Sequence, residues 1–313
     1  SFLDGELHID CDLCRLCGAC VKACKNNALV LPKIKSRSVN KTNGGVWVFI
    51  EECNGVISSV SLELLGKAVE LAGTLKQSVE AILIGSGVES FSKDLIAYGA
   101  DKVHIVDNPI FWQDIEEHYV EVLAALAKER KPEILLIGAT PKGRGISARL
   151  AGTLKTGLTA DCTSLNISEE DSLLLQHRPA FGGNLMATIV TPYNRPVMAS
   201  VRPGIMSAIV PDYNREGEVI CHDFSDFSFD SRIKTISQTR IENAMSSLEN
   251  SRIIIAVGRG VKQSLLPDIF RVADKIGATV AGSRAAVEMG MVDASVQVGQ
   301  TGHTVSPDIY ISL

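Results

Sequence analysis

No stretch of the sequence is apolar for the roughly 20 residues that a membrane-spanning helix needs. No secretory leader opens it, so the chain is expected to be soluble and cytoplasmic. Positive charge is not in excess: 31 Lys and Arg stand against 36 Asp and Glu, a net charge of −5. That balance argues against a general nucleic-acid binder. The densest basic patch, Lys33, Lys35, Arg37 and Lys41, falls in a polar stretch and reads as a solvated linker. An evenly spread set of cysteines, the mark of a secreted disulfide scaffold, is lacking too. Five of the eight cysteines fall between residues 11 and 24, while Cys53, Cys162 and Cys221 stand alone. A reducing compartment follows. A convincing catalytic acid–base pair is also missing. His8, His104, His118, His177, His222 and His303 are dispersed, and most read as surface or packing residues.

What is present is enough for two domains with substantial cores: 313 residues, 45% apolar and 21% charged. Residues 1–42 form a small unit with its linker. "ELHID" reads as a short strand, the cysteine run follows, and "ALVL" reads as a second strand. "PKIKSRSVNKTNGG" has the Pro, Ser, Asn and Gly of a linker. Residues 43–245 alternate strands and helices. "VWVFIE", "VEAILIG", "KVHIVD" and "PEILLIGA" read as buried strands, separated by helical patterns such as "SLELLGKAVELAGTL". That alternation predicts βαβ units and a Rossmann-like parallel sheet covered on both faces. From about Cys162 to Ile220 the pattern is β-rich, and "SLLLQHRP", "NLMATIVT" and "PVMASVRPG" are expected as strands appended to the sheet's edge. Residues 221–250 are polar and uneven, a second linker. Residues 246–313 begin another doubly wound α/β pattern with "RIIIAVG" and end on the strand "SPDIYISL". Three strands are few for such a layer, so this last domain is expected to be incomplete.

The cysteine run "CDLCRLCGACVKAC" places Cys14, Cys17, Cys20 and Cys24 at C-x2-C-x2-C-x3-C, the spacing that clasps a [4Fe–4S] cube in bacterial ferredoxins. Zinc favours two C-x2-C pairs a dozen or more residues apart. An iron–sulfur cluster is therefore the expectation, within a small ferredoxin-like α+β unit. "GELHIDCDLCRLCGACVKAC" resembles the second half of a two-motif ferredoxin, and a first half is expected before Ser1. Lys25 replaces the usual proline after the fourth cysteine. The fourth corner stays open among Cys11, Cys24, Cys53 and a cysteine upstream of Ser1.

Three glycine loops follow strands: "GSGVES" (85–90), "GATPKGRGISA" (138–148) and "GRGVKQ" (258–263). Each alone is a weak signal, because any tight βα turn favours Gly. The second lacks the Lys-Ser/Thr of a P-loop. The stretch 282–311, "GSRAAVEMGMVDASVQVGQTGHTVSPDIYI", discriminates better. It puts a Ser-Arg pair and a Gln-Thr-Gly loop where an open α/β sheet binds ligands, off the carboxyl ends of its strands. His303 adjoins that loop.

On "GRG", "GSRAAV", "VQVGQTGHTVSPDIYI", "RPAFGGNLMATIV" and "SVRPG", residues 46 to 313 resemble the α subunit of an electron-transfer flavoprotein. The resemblance implies an FAD-binding last domain. Arg259 would lie against the isoalloxazine ring, and Ser283 and Arg284 would contact the flavin. Gln297, Val298, Gly299, Gln300, Thr301 and Gly302 would hold its ring edge and ribityl–phosphate side. The family continues past its equivalent of Leu313 with further flavin-binding residues. Ordinary members lack the cysteine-bearing front; members that carry one resemble subunits of anaerobic, flavin-based bifurcating complexes. The implied partners are a β subunit that oxidises NADH, ferredoxin, and a flavin dehydrogenase of acyl-CoA or hydroxy-acid type. The alternatives are a non-bifurcating carrier feeding a quinone pool, and an adenine-nucleotide-binding regulatory module with a structural metal site.

Overall fold

The computed structural model describes residues 2–3, 6–7, 19–26, 28–29, 42–53, 55–180, 185–225, 227, 229, 233–237, 248, 251–299, 302–303, 305 and 307–313. The chain divides into two compact units, Ser1–Val39 and Asn40–Leu313. In the first, β1 (Phe2–Leu3) pairs antiparallel with β2 (Glu6–Leu7), and α1 (Ala19–Ala23) runs up to Cys24. The strand expected at "ELHID" is thus present at Glu6–Leu7. Ala28 and Leu29 of the expected strand "ALVL" are not in a strand. Val30, Leu31, Cys11, Cys14 and Cys17 lie outside the described residues.

The second unit opens with β3 (Val46–Ile50), the small ribbon β4 (Glu52–Cys53) and β5 (Val56–Ile57), and the helix α2 (Ser59–Leu75). Then come β6 (Val79–Gly85), α3 (Ser92–Ala97), β7 (Lys102–Asp107), α4 (Glu116–Arg130), β8 (Ile134–Gly138) and α5 (Pro141–Leu154). Next are β9 (Leu158–Cys162), β10 (Ser164–Ile167), β11 (Leu174–Ala180), β12 (Leu185–Ile189), β13 (Val197–Val201) and β14 (Glu218–Cys221). The remainder is β15 (Ile253–Val257), α6 (Leu266–Ile276), β16 (Thr279–Gly282), α7 (Arg284–Glu288) and β17 (Ile309–Ser312).

Seven of these strands form one parallel sheet in the order β14-β7-β6-β3-β8-β13-β9. The period of two in β3 explains the two layers of core. Val46, Val48 and Ile50 point to the face where Leu64, Leu65, Ala68 and Leu71 of α2 pack. Trp47 and Phe49 point to the other, against Val122, Leu123 and Leu126 of α4 and Ile146 and Leu150 of α5. A strand covered on both sides reads as an uninterrupted apolar run, which is how β3 and β8 read. Each large side chain so buried contributes about 1.5–3 kcal/mol before entropy is counted.

One expectation is corrected. "PVMASVRPG" supplies β13, which is not appended to the edge: it lies inside the parallel sheet, between β8 and β9. All five of its residues are buried, as in a strand whose sheet is covered on both faces. The other two expected strands supply β11 and β12. With β10 they form a separate antiparallel sheet, β10-β11-β12. Leu185, Met186 and Ile189 of its edge strand β12 are exposed. A third sheet, β16-β15-β17, is parallel. Its one face packs Ile255, Val257 and Val280 with Leu266 and Ala273 of α6.

Candidate functional site

The register of the small sheet gathers the loops singled out in its sequence. Val257 is opposite Gly282, and Ala256 is opposite Ser312, so β15, β16 and β17 end together. Backbone bonds tie their exits. Gly258 N donates to Leu313 O at 2.9 Å, and Ser283 N donates to Val257 O at 2.9 Å. The loop 297–303 is laid beside β16 by Val298 N, which donates to Gly282 O at 2.8 Å. Of the expected site residues, Arg259, Ser283, Arg284, Gln297, Val298, Gly299 and Gly302 are therefore brought to one sheet edge. Gln300 and Thr301 lie outside the described residues.

The chemistry of this edge is cationic and rich in donors. Arg259 is exposed and has no ion-pair partner among the described residues. Among the described residues Arg284 pairs through Nε alone, 2.9 Å from Glu288 Oε1. The Ser283 hydroxyl accepts from Ala286 N at 3.3 Å, which leaves its proton for a ligand. The 297–303 loop curls tightly: His303 N donates to Gln297 O at 2.7 Å, and Gly302 N donates to Gly299 O at 3.0 Å. Gly299 has φ 97°, which suits only glycine. A Cβ on Gly302 would stand 2.4 Å from Gln297 O. Beside the 258–262 loop opens an apolar cavity of about 630 Å3, lined among others by Ile255, Val261, Leu265, Ile269 and Leu313.

The two glycine loops of the larger sheet carry anions of their own. Asp107 accepts from Gly87 N and Val88 N, both at 2.8 Å, which occupies the 85–90 loop. At the 138–148 loop, Thr140 caps α5 by accepting from Gly143 N at 2.9 Å, and its hydroxyl donates to Glu51 Oε2 at 2.6 Å. Burial raises the Glu51 carboxyl above its ordinary range, although the Thr140 bond and Lys142 pull the other way. Internal carboxylates thus sit where a bound phosphate would be received. The small sheet presents Arg259 instead.

In the first unit, Cys20 is exposed and Cys24 half-buried. Ala28 N donates to Cys24 Sγ at 3.3 Å, a bond that favours a sulfur acting as thiolate. Among the described residues no three metal-ligating side chains gather; Cys14 and Cys17 are not among them. Cys162 is buried, and burial pushes its thiol up to about 12, which keeps it out of thiolate chemistry.

Sequence reasoning missed one buried polar cluster. His104 and His222, separated by 118 positions, lie with ring nitrogens 2.9 Å apart, and His104 also meets the buried Glu80 at 2.9 Å. The one trace in the sequence is polar residues inside apolar strands, Glu80 in "VEAILIG" and His104 in "KVHIVD".

Comparison with known proteins bears on the same regions. Residues 46–226 match the electron transfer flavoprotein domain, and residues 247–313 match the electron transfer flavoprotein FAD-binding domain. The chain is 46% identical to the electron transfer flavoprotein subunit alpha of Thermoanaerobacterium thermosaccharolyticum, over 85% of this chain and 81% of the relative. It is 38% identical to the LctC subunit of the lactate dehydrogenase (NAD(+),ferredoxin) of Acetobacterium woodii, over 96% of this chain and 72% of the relative. It is 36% identical to the acryloyl-CoA reductase electron transfer subunit beta of Anaerotignum propionicum, over 86% and 81%. Coverage of 96% leaves about a dozen of 313 residues unmatched, so most of Ser1–Val39 lies within the LctC match.

Proposed function

The chain belongs to the electron transfer flavoprotein α-subunit family, and from that premise we propose that it relays electrons as the α subunit of a flavin-based bifurcating complex. The observation that carries this reading is the reach of the LctC match into the cysteine-bearing first unit. In the proposal an NADH-oxidising β subunit supplies electron pairs. One electron passes through this chain to a partner dehydrogenase of hydroxy-acid or acyl-CoA type, and the other goes to ferredoxin.

The residues of the small sheet's edge fit FAD. Arg259, with no ion-pair partner among the described residues, offers a cation to the flavin ring, and Ser283 and Arg284 offer a hydroxyl proton and guanidinium N–H groups. Gln297, Val298, Gly299, Gln300, Thr301 and Gly302 would hold the ring edge and the ribityl–phosphate side. When bound, FAD supplies the one- and two-electron chemistry that no side chain here provides. The protein's part is binding and electrostatics: cations and donors beside the ring favour its reduced, anionic form. Cys14, Cys17, Cys20 and Cys24 would hold a [4Fe–4S] cluster, with the Ala28 N–H bond stabilising negative charge on Cys24 sulfur. A non-bifurcating carrier feeding a quinone pool is the second reading; an α-subunit fold alone is shared by both.

The test is iron, acid-labile sulfide and FAD per chain, on protein purified without oxygen together with its partners. About four irons with one flavin on this chain is the expected result. NADH should then reduce ferredoxin only when the partner dehydrogenase's acceptor is present. Zinc without flavin would overturn the proposal, and flavin with iron but no coupled ferredoxin reduction would leave the simple carrier.

A further inference from the structure

At the amino end of the seven-stranded sheet, opposite its glycine loops, a second cavity opens where α4 and α5 end beside each other. Its volume is about 440 Å3, within the range of small-molecule pockets. Lys128, Lys131, Lys155 and Arg195 line it, and among the described residues no Asp or Glu does. The chain as a whole is acidic, so this gathering of cations is local.

Lysine at the end of a helix is ordinary, because it answers the carbonyl dipoles there. Lys131 closes α4 by donating its N–H to Ala127 O at 3.0 Å, and Lys155 closes α5 by donating to Gly152 O at 3.3 Å. The dipoles do not account for Arg195. Its side chain is only 6% exposed. Nε meets Glu133, and Nη1 donates to Thr191 O at 3.0 Å and to Asn194 O at 2.9 Å. Nη2 has no partner among the described residues. A guanidinium carries five N–H groups, so this nearly buried one keeps donors for a ligand. The three ammonium groups likewise have no ion-pair partner among the described residues. The walls are pinned from both sides. Gln77 Nε2 donates to Thr42 O, and Asn194 Nδ2 donates to Lys155 O, each at 2.9 Å. Leu154, Pro196 and the half-exposed ring of Tyr193 give the cavity an apolar side.

We propose that this cavity binds a nucleotide, with phosphate held by Lys131, Lys155 and Nη2 of Arg195 and the base against Tyr193. Glu133 neutralises one of the four lining cations, which leaves an excess of positive charge for an anion to meet. Phosphate suits that excess, since its several oxygens accept charge-assisted bonds from guanidinium and ammonium together. The ring of Tyr193 favours a ligand with a π-face over a bare anion, because stacking adds to the affinity whatever the base. Free nucleotides and the nucleotide end of coenzyme A share this chemistry. The site lies away from the candidate flavin edge of the small sheet and does not depend on the electron-transfer reading.

Lysine acetylation of the purified complex, read residue by residue by mass spectrometry, tests this with AMP, coenzyme A and inorganic pyrophosphate as probes. A nucleotide held by a partner subunit leaves these lysines untouched, so the readout is local. AMP or coenzyme A at ten times its Kd should slow acetylation of Lys128, Lys131 and Lys155 about tenfold. Lys76, an exposed lysine that closes α2 in the same way, should be unaffected. The tighter of the two probes identifies the source. The double variant Lys131→Gln, Lys155→Gln should weaken binding roughly 5- to 30-fold. Tyr193→Ala should weaken the nucleotides about fivefold or more and leave pyrophosphate unmoved. All three side chains are exposed, so the variants are expected to fold. No slowing, equal slowing at Lys76, or nucleotide binding that ignores Tyr193→Ala and matches pyrophosphate would overturn the proposal.

Discussion

Two glycines of the 297–303 loop meet demands that a side chain would break, one of space and one of conformation. Gly302 is packed so that a Cβ would meet Gln297 O at 2.4 Å, within the turn that presents residues 297–303. Gly302→Ala must therefore open that turn, at a cost of about 1–3 kcal/mol. FAD should bind roughly 5- to 150-fold more weakly, measured by flavin fluorescence on dilution, with the melting of the seven-stranded domain unchanged. Unaltered affinity would remove the 297–303 loop from the site. Gly299, at φ 97°, makes the matching demand on conformation rather than space. Both glycines are legible in "VGQTGH". The steric reason for the second is not, because it lies in a contact with a carbonyl five residues earlier.

Among the elements, β3, β8 and β13 are tied at their starts by one buried ion pair. Arg195 Nε lies 2.6 Å from Glu133 Oε1, with both side chains under 10% exposed. The other oxygen of Glu133 accepts from Thr42 N at 2.7 Å and Thr42 Oγ1 at 3.0 Å. Arg195→Met leaves that carboxylate buried without its cation, which costs about 3–5 kcal/mol. A fall in melting temperature of roughly 6–20 °C is expected by calorimetry. The double variant Arg195→Met, Glu133→Gln should recover part of it; if the two losses simply add, the pair is not the clasp. The strands themselves were readable from "VWVFI" and "ILLIG" as uninterrupted apolar runs. The place of β13 was not, because "PVMASV" reads as a strand wherever it is put, and its neighbours are chosen by packing on α5.

At the scale of the molecule, the two compact units divide at Val39 and Asn40, and the proposed cofactors divide with them. A chain starting at Asn40 keeps Thr42 and its bonds to Glu133. It is expected to retain FAD and the seven-stranded fold, shown by visible absorbance and circular dichroism, and to lose its iron and its exchange with ferredoxin. Iron that persists in the shortened chain would move the cluster away from the cysteine run.

The sequence by itself determined the alternating α/β pattern, the spacing of the cysteine run and the glycine–arginine signature of the last domain. These are local properties, set by side-chain period, loop chemistry and neighbours a few residues apart. Tertiary structure decided which glycine loop stays open. Asp107 at the end of β7 and Glu51 just after β3 reach loops 85–90 and 138–148, whereas Arg259 is left exposed. It also decided the pairing of His104 with His222, since a separation of 118 positions leaves no periodicity to read. Only the closing of β14 onto β7 brings those two rings together.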